Sequence, residues 1–150
     1  MTDAQAAFAP AKKLLEQGIA FVQRAGLTVE SLEPGRVVCR MPFAGNGNHI
    51  GTMYAGALFT LAEIPGGALF LTSFDTRRFY PVVKALNLKF MKPAKGDVSV
   101  EARLDEERIA AIEAEATAKG KAEFTLSLEL RDGSGTVVAV SEGIYQIRAI

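Results

Sequence analysis

The residues of this 150-residue chain with the types and spacing for chemistry gather near its middle. Glu63 is the first of them, the one charged side chain in the apolar run from Met53 to Phe74. Within that run Met53, Ala57, Leu58, Leu61 and Ile64 recur at helical spacing, and a helix apolar all round belongs in a core. A carboxylate carried into a core without a partner costs several kcal/mol. Glu63 therefore needs a partner, a task, or both. Just upstream, Asn46, Gly47, Asn48 and Gly51 have loop chemistry, and Tyr54, Ala55 and Gly56 open the helix. The first turn of a helix carries free N–H groups and a partial positive charge. The Ala55 N–H is thus a candidate donor to an oxyanion, and Glu63 a candidate general base or nucleophile. Ala55 and Glu63 are eight positions apart, about 12 Å along one helix. They cannot serve one carbonyl from a single chain. If both act, each site takes the helix tip from one subunit and the acid from another, which predicts a homodimer or a dimer of dimers.

The elements that must position these groups follow from punctuation and periodicity. Residues 1–9 read as a loose tail or frayed helix end. Pro10 suits a first helical turn, and Leu14, Leu15, Ile19 and Val22 give an amphipathic helix over about 10–25. Strands are expected over 27–32 and 36–43, then the loop and the central helix, which should end before Asp75. Pro65 marks a possible kink, and Gly66-Gly67-Ala68 a surface for close helix packing. Tyr80–Met91 reads as a long strand whose alternation sets Val82, Lys84, Leu86, Leu88 and Phe90 on the core face. A lysine there wants a buried anion, and Glu63 is the obvious one. Strand 98–104 follows, then a helix over 106–119 capped by Asp105 and stopped by Gly120, with Ile109, Ile112 and Ala116 on one side. Strands over 122–130 and 136–147 end the chain. The sum is one α+β domain over residues 1–150, a long helix against five or six mostly antiparallel strands.

Composition excludes several classes. Apolar residues make up 49% and charged residues 23%, ordinary globular values. Seventeen basic residues balance seventeen acidic ones, which leaves no bias toward nucleic acid or an acidic membrane. The N-terminus lacks the form of a secretory signal, and the lone Cys39 sits in an alternating strand, which fits a buried thiol in a reducing cytoplasm. The sequence carries no metal cluster, phosphate loop or serine-centred elbow.

Asn48, Gly51, Tyr54, Ala55, Gly56, Ala62 and Glu63 together resemble the signature N-x-x-G-x-x-[HY]-[GA]-G-x-x-x-x-x-[AV]-[DE] of hotdog-fold acyl-CoA thioesterases, those of the phenylacetyl-CoA and 4-hydroxybenzoyl-CoA groups. Asn87 to Lys95, NLKFMKPAK, is similar to the same family's downstream strand and turn. The resemblance spans about residues 27–148. It implies a hotdog fold, a metal-free and cofactor-free hydrolase cleaving an acyl-CoA to a carboxylic acid and CoA, Glu63 as base or nucleophile, the Ala55 N–H as oxyanion donor, and Asn48 orienting substrate or water. Tyr54 stands where the family usually has His and would donate to the thioester. Gly56, His49 and Lys84 join it as candidate substrate contacts. Two departures stand out: Tyr54-Ala55-Gly56 replaces His-Gly-Gly, and the helix over 106–119 replaces a tight hairpin. They motivate an alternative, a non-catalytic acyl-CoA-binding or structural hotdog protein. A hotdog dehydratase with a His49–Glu63 acid–base pair is the third reading. Arg77, Arg78, Lys92 and Lys95 offer cations to coenzyme A phosphates or are plain surface charge.

Overall fold

Alternation in the second half of the chain is nearly unbroken, and it builds the sheet on which everything else rests. The computed structural model describes residues 2–150. Six strands, β1 (Thr28–Glu33), β2 (Arg36–Met41), β3 (Phe79–Phe90), β4 (Val98–Arg103), β5 (Lys121–Asp132) and β6 (Val137–Ala149), form one antiparallel sheet in the order β1-β2-β4-β5-β6-β3. In β5 Ala122, Phe124, Leu126, Leu128 and Leu130 are all buried and their neighbours exposed, so a single face meets the core. The central helix α4 (Ala55–Ser73) lies against that face. Met53 and the helix residues Ala57, Leu58, Leu61 and Ile64 are all buried, as their spacing predicts, and the helix runs on through Pro65. Alone in the chain it is long and apolar enough to span a membrane, among the described residues, yet here the sheet wraps it. This is the hotdog architecture.

The helix α5 (Glu106–Lys119) has the bounds that its caps predict. Asp105 accepts from Arg108 N at 2.7 Å, and Gly120 closes the end at φ 83°. Ile112 and Ala116 are buried beneath it and Ile109 partly so. Because α5 intervenes, β4 pairs with β5 only from Val98 to Val100. The Arg108 guanidinium takes up part of the freed ladder by donating to Thr125 O at 2.6 Å.

Three expectations fail for physical reasons. The N-terminal helix is not continuous: α2 (Ala9–Gln17) stops at Gly18, and α3 (Ala20–Ala25) restarts beyond it. Leu15 and Val22 are buried, but Leu14 and Ile19 are about half exposed. Residues 1–9, expected as a loose tail or frayed helix end, include a separate short helix, α1 (Asp3–Ala7); Met1 lies outside the described residues. Most consequentially, β3 is bulged. Val83 lies opposite Tyr145 and Ala85 opposite Ile144, which leaves Lys84 as the extra residue. A bulge exchanges the two faces of a strand. Before it Phe79, Pro81 and Val83 share one face, with Phe79 buried and Pro81 and Val83 exposed at the sheet edge; after it the half-buried Leu86 and Leu88 take that face, opposite Gly143 and Ser141. Lys84 is off the core face and exposed.

Candidate functional site

Loop 46–53 reaches α4 through a small closed network. Asn46 Nδ2 donates to Ala25 O at 2.7 Å and to Pro42 O at 2.8 Å, and Asn46 O accepts from Tyr54 N at 2.8 Å. Asn48 organises the tip: its Oδ1 accepts from Ile50 N and Thr52 N, both at 3.0 Å, and its Nδ2 donates to Thr52 Oγ1 at 2.8 Å. Gly51 turns there at φ 82°, a value that side-chain-bearing residues avoid. The loop is thereby self-supporting, and one Asn48 amide hydrogen is left without an acceptor among the described residues. His49 is exposed in the same loop.

The tip of α4 that this loop presents is uncapped. Tyr54 stands at the N-cap in an extended conformation (φ −60°, ψ 139°) with no side-chain cap. The first donors with partners are Ala57 N and Leu58 N, both to Tyr54 O. The Ala55 and Gly56 N–H groups have no acceptor among the described residues, as the start of a helix dictates. The Tyr54 ring folds back over the tip, and a Cβ on Gly56 would lie 2.4 Å from Tyr54 Cε2. Gly56 is therefore the residue that lets the aromatic ring lie against the first turn. Asn48, Thr52, Ala55 and Leu58 on one side and Phe90 to Ala94 on the other line a groove of about 320 Å³. Lys92 stands in its wall.

Glu63 is not in that groove. It lies two turns further along α4, half-buried, with no hydrogen bond or ion pair to any described residue. The expected Glu63–Lys84 pair does not form, since the bulge turns Lys84 to solvent. Burial alone raises the Glu63 carboxyl above the ordinary glutamate range, the direction desolvation gives an acid. Glu63 belongs to a stripe along α4 that the sheet leaves uncovered: Ala55, Phe59, Glu63 and Gly67 recur every fourth residue, with Phe59 exposed and open space above Gly67. The glycine pair thus serves two purposes. Gly67 lies in this open stripe, whereas Gly66 receives the ring of Tyr145 rather than a neighbouring backbone.

Other cationic candidates separate from the site. Arg77 pairs with Asp75, and Arg78 pairs with Glu113 while lying over the Phe79 ring; both belong to the turn that follows α4. Cys39 is fully buried in β2 and its thiol is pushed up to about 12 by burial, so it is no nucleophile. A larger groove of about 680 Å³ separates α1 and α2 from β1. Its most covered acid, Glu16, is already paired with Lys12 and accepts from Val29 N. Among the described residues no cluster of His, Cys, Asp and Glu suits a metal ion.

Comparison with known proteins agrees with the fold. Residues 10–145 match the family described as a domain of unknown function, DUF4442. The chain belongs to this family. A crystal structure of a Pseudomonas aeruginosa protein of unknown function, named a probable thioesterase, is 63% identical, with 95% of each chain covered and a TM-score of 0.92. Two more distant structures share the fold. A mutant thioesterase from the same species is 16% identical over 100% of this chain and 96% of its own, with a TM-score of 0.72. A Haemophilus influenzae thioesterase is 14% identical over 95% of this chain and 90% of its own, with a TM-score of 0.73. Curated proteins give no match.

The sequence reading missed Tyr145. In β6 the alternate residues Ser141, Gly143, Tyr145 and Ile147 are all buried, and a phenol in such a set is the signal that could have found it.

Proposed function

We propose that this protein is an acyl-CoA thioesterase working as a homodimer, or as a dimer of dimers, in the cytoplasm. The observation that carries the reading is the pairing, on one helix, of an uncapped donor tip with a desolvated carboxylate about two turns away. That pairing is what thioester hydrolysis requires from two subunits in alternation. In the proposed site the Ala55 N–H donates to the thioester oxygen, and negative charge grows there as water attacks the carbonyl carbon. Glu63 of the partner subunit takes the water proton. The C–S bond then breaks and the proton passes to the departing thiolate, giving acid and CoA. A carboxyl raised above its usual range suits a general base at neutral pH.

Three features support the assembly. β3 is an edge strand twelve residues long. Its rim and the helix tip expose Tyr54, Phe59, Val83, Phe90 and Met91. At the opposite edge α2 covers β1, with Glu16 Oε2 accepting from Val29 N at 2.8 Å. A long uncovered apolar edge is a surface for pairing with another chain. Lys92 and Lys95 beside the groove are the cations best placed for coenzyme A phosphates, and Asn48, Tyr54, Gly56 and His49 form the rim that acyl-CoA would cross.

A panel of acyl-CoAs tests the reading. Turnover should fall at least about a hundredfold in Glu63→Ala, the size expected for loss of a general base. Saturable acyl-CoA binding without hydrolysis would instead make this a binding protein.

A further inference from the structure

β6 carries two buried hydroxyls without a partner among the described residues, Ser141 Oγ and Tyr145 Oη. Buried polar groups are nearly always paired, so each orphan calls for a reason. Tyr145 is the more firmly held. Its ring stacks on Phe124, with centroids 5.6 Å apart and planes 20° apart. Its remaining neighbours include two glycines. A Cβ on Gly66 of α4 would lie 2.1 Å from Tyr145 Cε1, and one on Gly143 of β6 would lie 2.5 Å from Cε2 and 3.0 Å from Oη. The ring occupies a slot that exists only because neither residue has a side chain. Gly66 is three positions beyond Glu63, its neighbour on the helix surface at the border of the open stripe. The slot therefore sets a fixed phenol beside the turn that bears the carboxylate. Burial first, and the charge of Glu63 second, push the phenol up to about 12. It keeps its proton at every working pH and remains a donor.

We infer that Tyr145 is a positioning residue for Glu63: its immobile hydroxyl donates to the ionised carboxylate when the longer glutamate side chain turns onto it, and so fixes the base over the substrate. The inference rests on Glu63 being the base. Among the described residues no charged group competes for that role. Burial is the sole cause of the Glu63 shift. Of the titratable groups on elements packed against α4, Cys39 of β2 is the other one buried beneath the helix. Glu101 and Arg103 of β4, and the acids and bases of β5, alternate to the outer face, as does Glu142 of β6. Lys84 and Lys89 of β3 are exposed. On β1 Glu30 pairs with Arg40 and Glu33 with Arg36, and on α2 Lys12 and Glu16 pair with each other.

Tyr145→Phe keeps the ring in its slot and removes only the donor. The titration of Glu63 is followed through the ¹³C shift of its carboxyl carbon in glutamate-labelled protein, assigned by its disappearance in Glu63→Gln. Loss of a donor to the charged form should raise the midpoint, to about tenfold tighter proton binding, and the acid limb of kcat/KM should move up with it. An unchanged midpoint overturns the inference, and so does an equal shift in Ser141→Ala, which would assign the effect to general core polarity. The titration needs no turnover. A shifted midpoint in a protein that hydrolyses no thioester would remove the hydrolase reading and leave the Tyr145–Glu63 bond standing.

Discussion

Gly66→Ala tests the packing that surrounds the proposed acid. On an open helix face this exchange stabilises by up to about 1 kcal/mol, because alanine is the better helix former. At position 66 the structure predicts the opposite. The new methyl would meet Tyr145 Cε1 at 2.1 Å, Cζ at 2.5 Å and Cδ1 at 2.7 Å. Three contacts this short cannot be relieved by a small rotation, because Gly143 and Phe124 hold the other side of the ring. Either α4 lifts from β6 or the ring leaves its stack. Overpacking of this kind costs about 1–3 kcal/mol, and at about 2–4 °C per kcal/mol for a chain of this size the melting point should drop by roughly 2–12 °C. Thermal and urea unfolding measure it. The double variant Gly66→Ala/Tyr145→Leu, with a smaller side chain in the slot, should recover much of the loss, giving a coupling on the order of 1 kcal/mol or more. A Gly66→Ala protein as stable as the parent, or a double variant whose losses simply add, would refute the slot.

Two further predictions follow from the titratable groups. Burial gives folded Glu63 a higher proton affinity than the unfolded chain has, so the folded state loses stability as pH rises through the carboxyl's folded value. Glu63→Gln should therefore melt higher than the parent near neutral pH, and the advantage should vanish at about pH 4, where both residues are neutral; a variant less stable at every pH would contradict this. Cys39, buried and held up to about 12, should resist an aromatic disulfide reagent in the folded protein and react at once in denaturant. Rapid labelling of the native chain would show that β2 is not sealed beneath α4.

Much of this architecture could be read directly from residue order. The helix α5 has its expected bounds because its signals are local: Asp105 accepts from the next turn, and Gly120 supplies the left-handed stop. The core positions of α4 were equally legible, since an apolar period needs no partner to be recognised. The errors arose where the answer depends on contacts distant in sequence. The bulge at Lys84 is set by register against β6, and nothing within residues 79–90 announces it, so alternation carried past it turned Lys84 inward and supplied Glu63 with a false partner. Gly18 split the N-terminal helix because the restart depends on docking Val22 and Leu27. Gly66 read as a helix-packing glycine, and its reason lies 79 residues away in Tyr145. At the site, Asn48, Ala55 and Glu63 could be picked out as residue types in a pattern. That Asn48 holds its own loop, and that Glu63 stands unpaired on an open stripe, required the fold.

The claim that each active site takes its oxyanion donor from one chain and its acid from another has a direct measurement. Ala55→Pro removes the N–H and little else, since proline is favoured at the first helical position and Tyr54 already has the extended conformation that a following proline requires. Ala55→Pro and Glu63→Gln should each be inactive alone. Unfolded together and refolded as mixed dimers, they rebuild one intact site in each heterodimer, about a quarter of the parent's thioesterase activity for random pairing. Recovery near that level is what a shared site predicts, and a mixture as inactive as its components would contradict it.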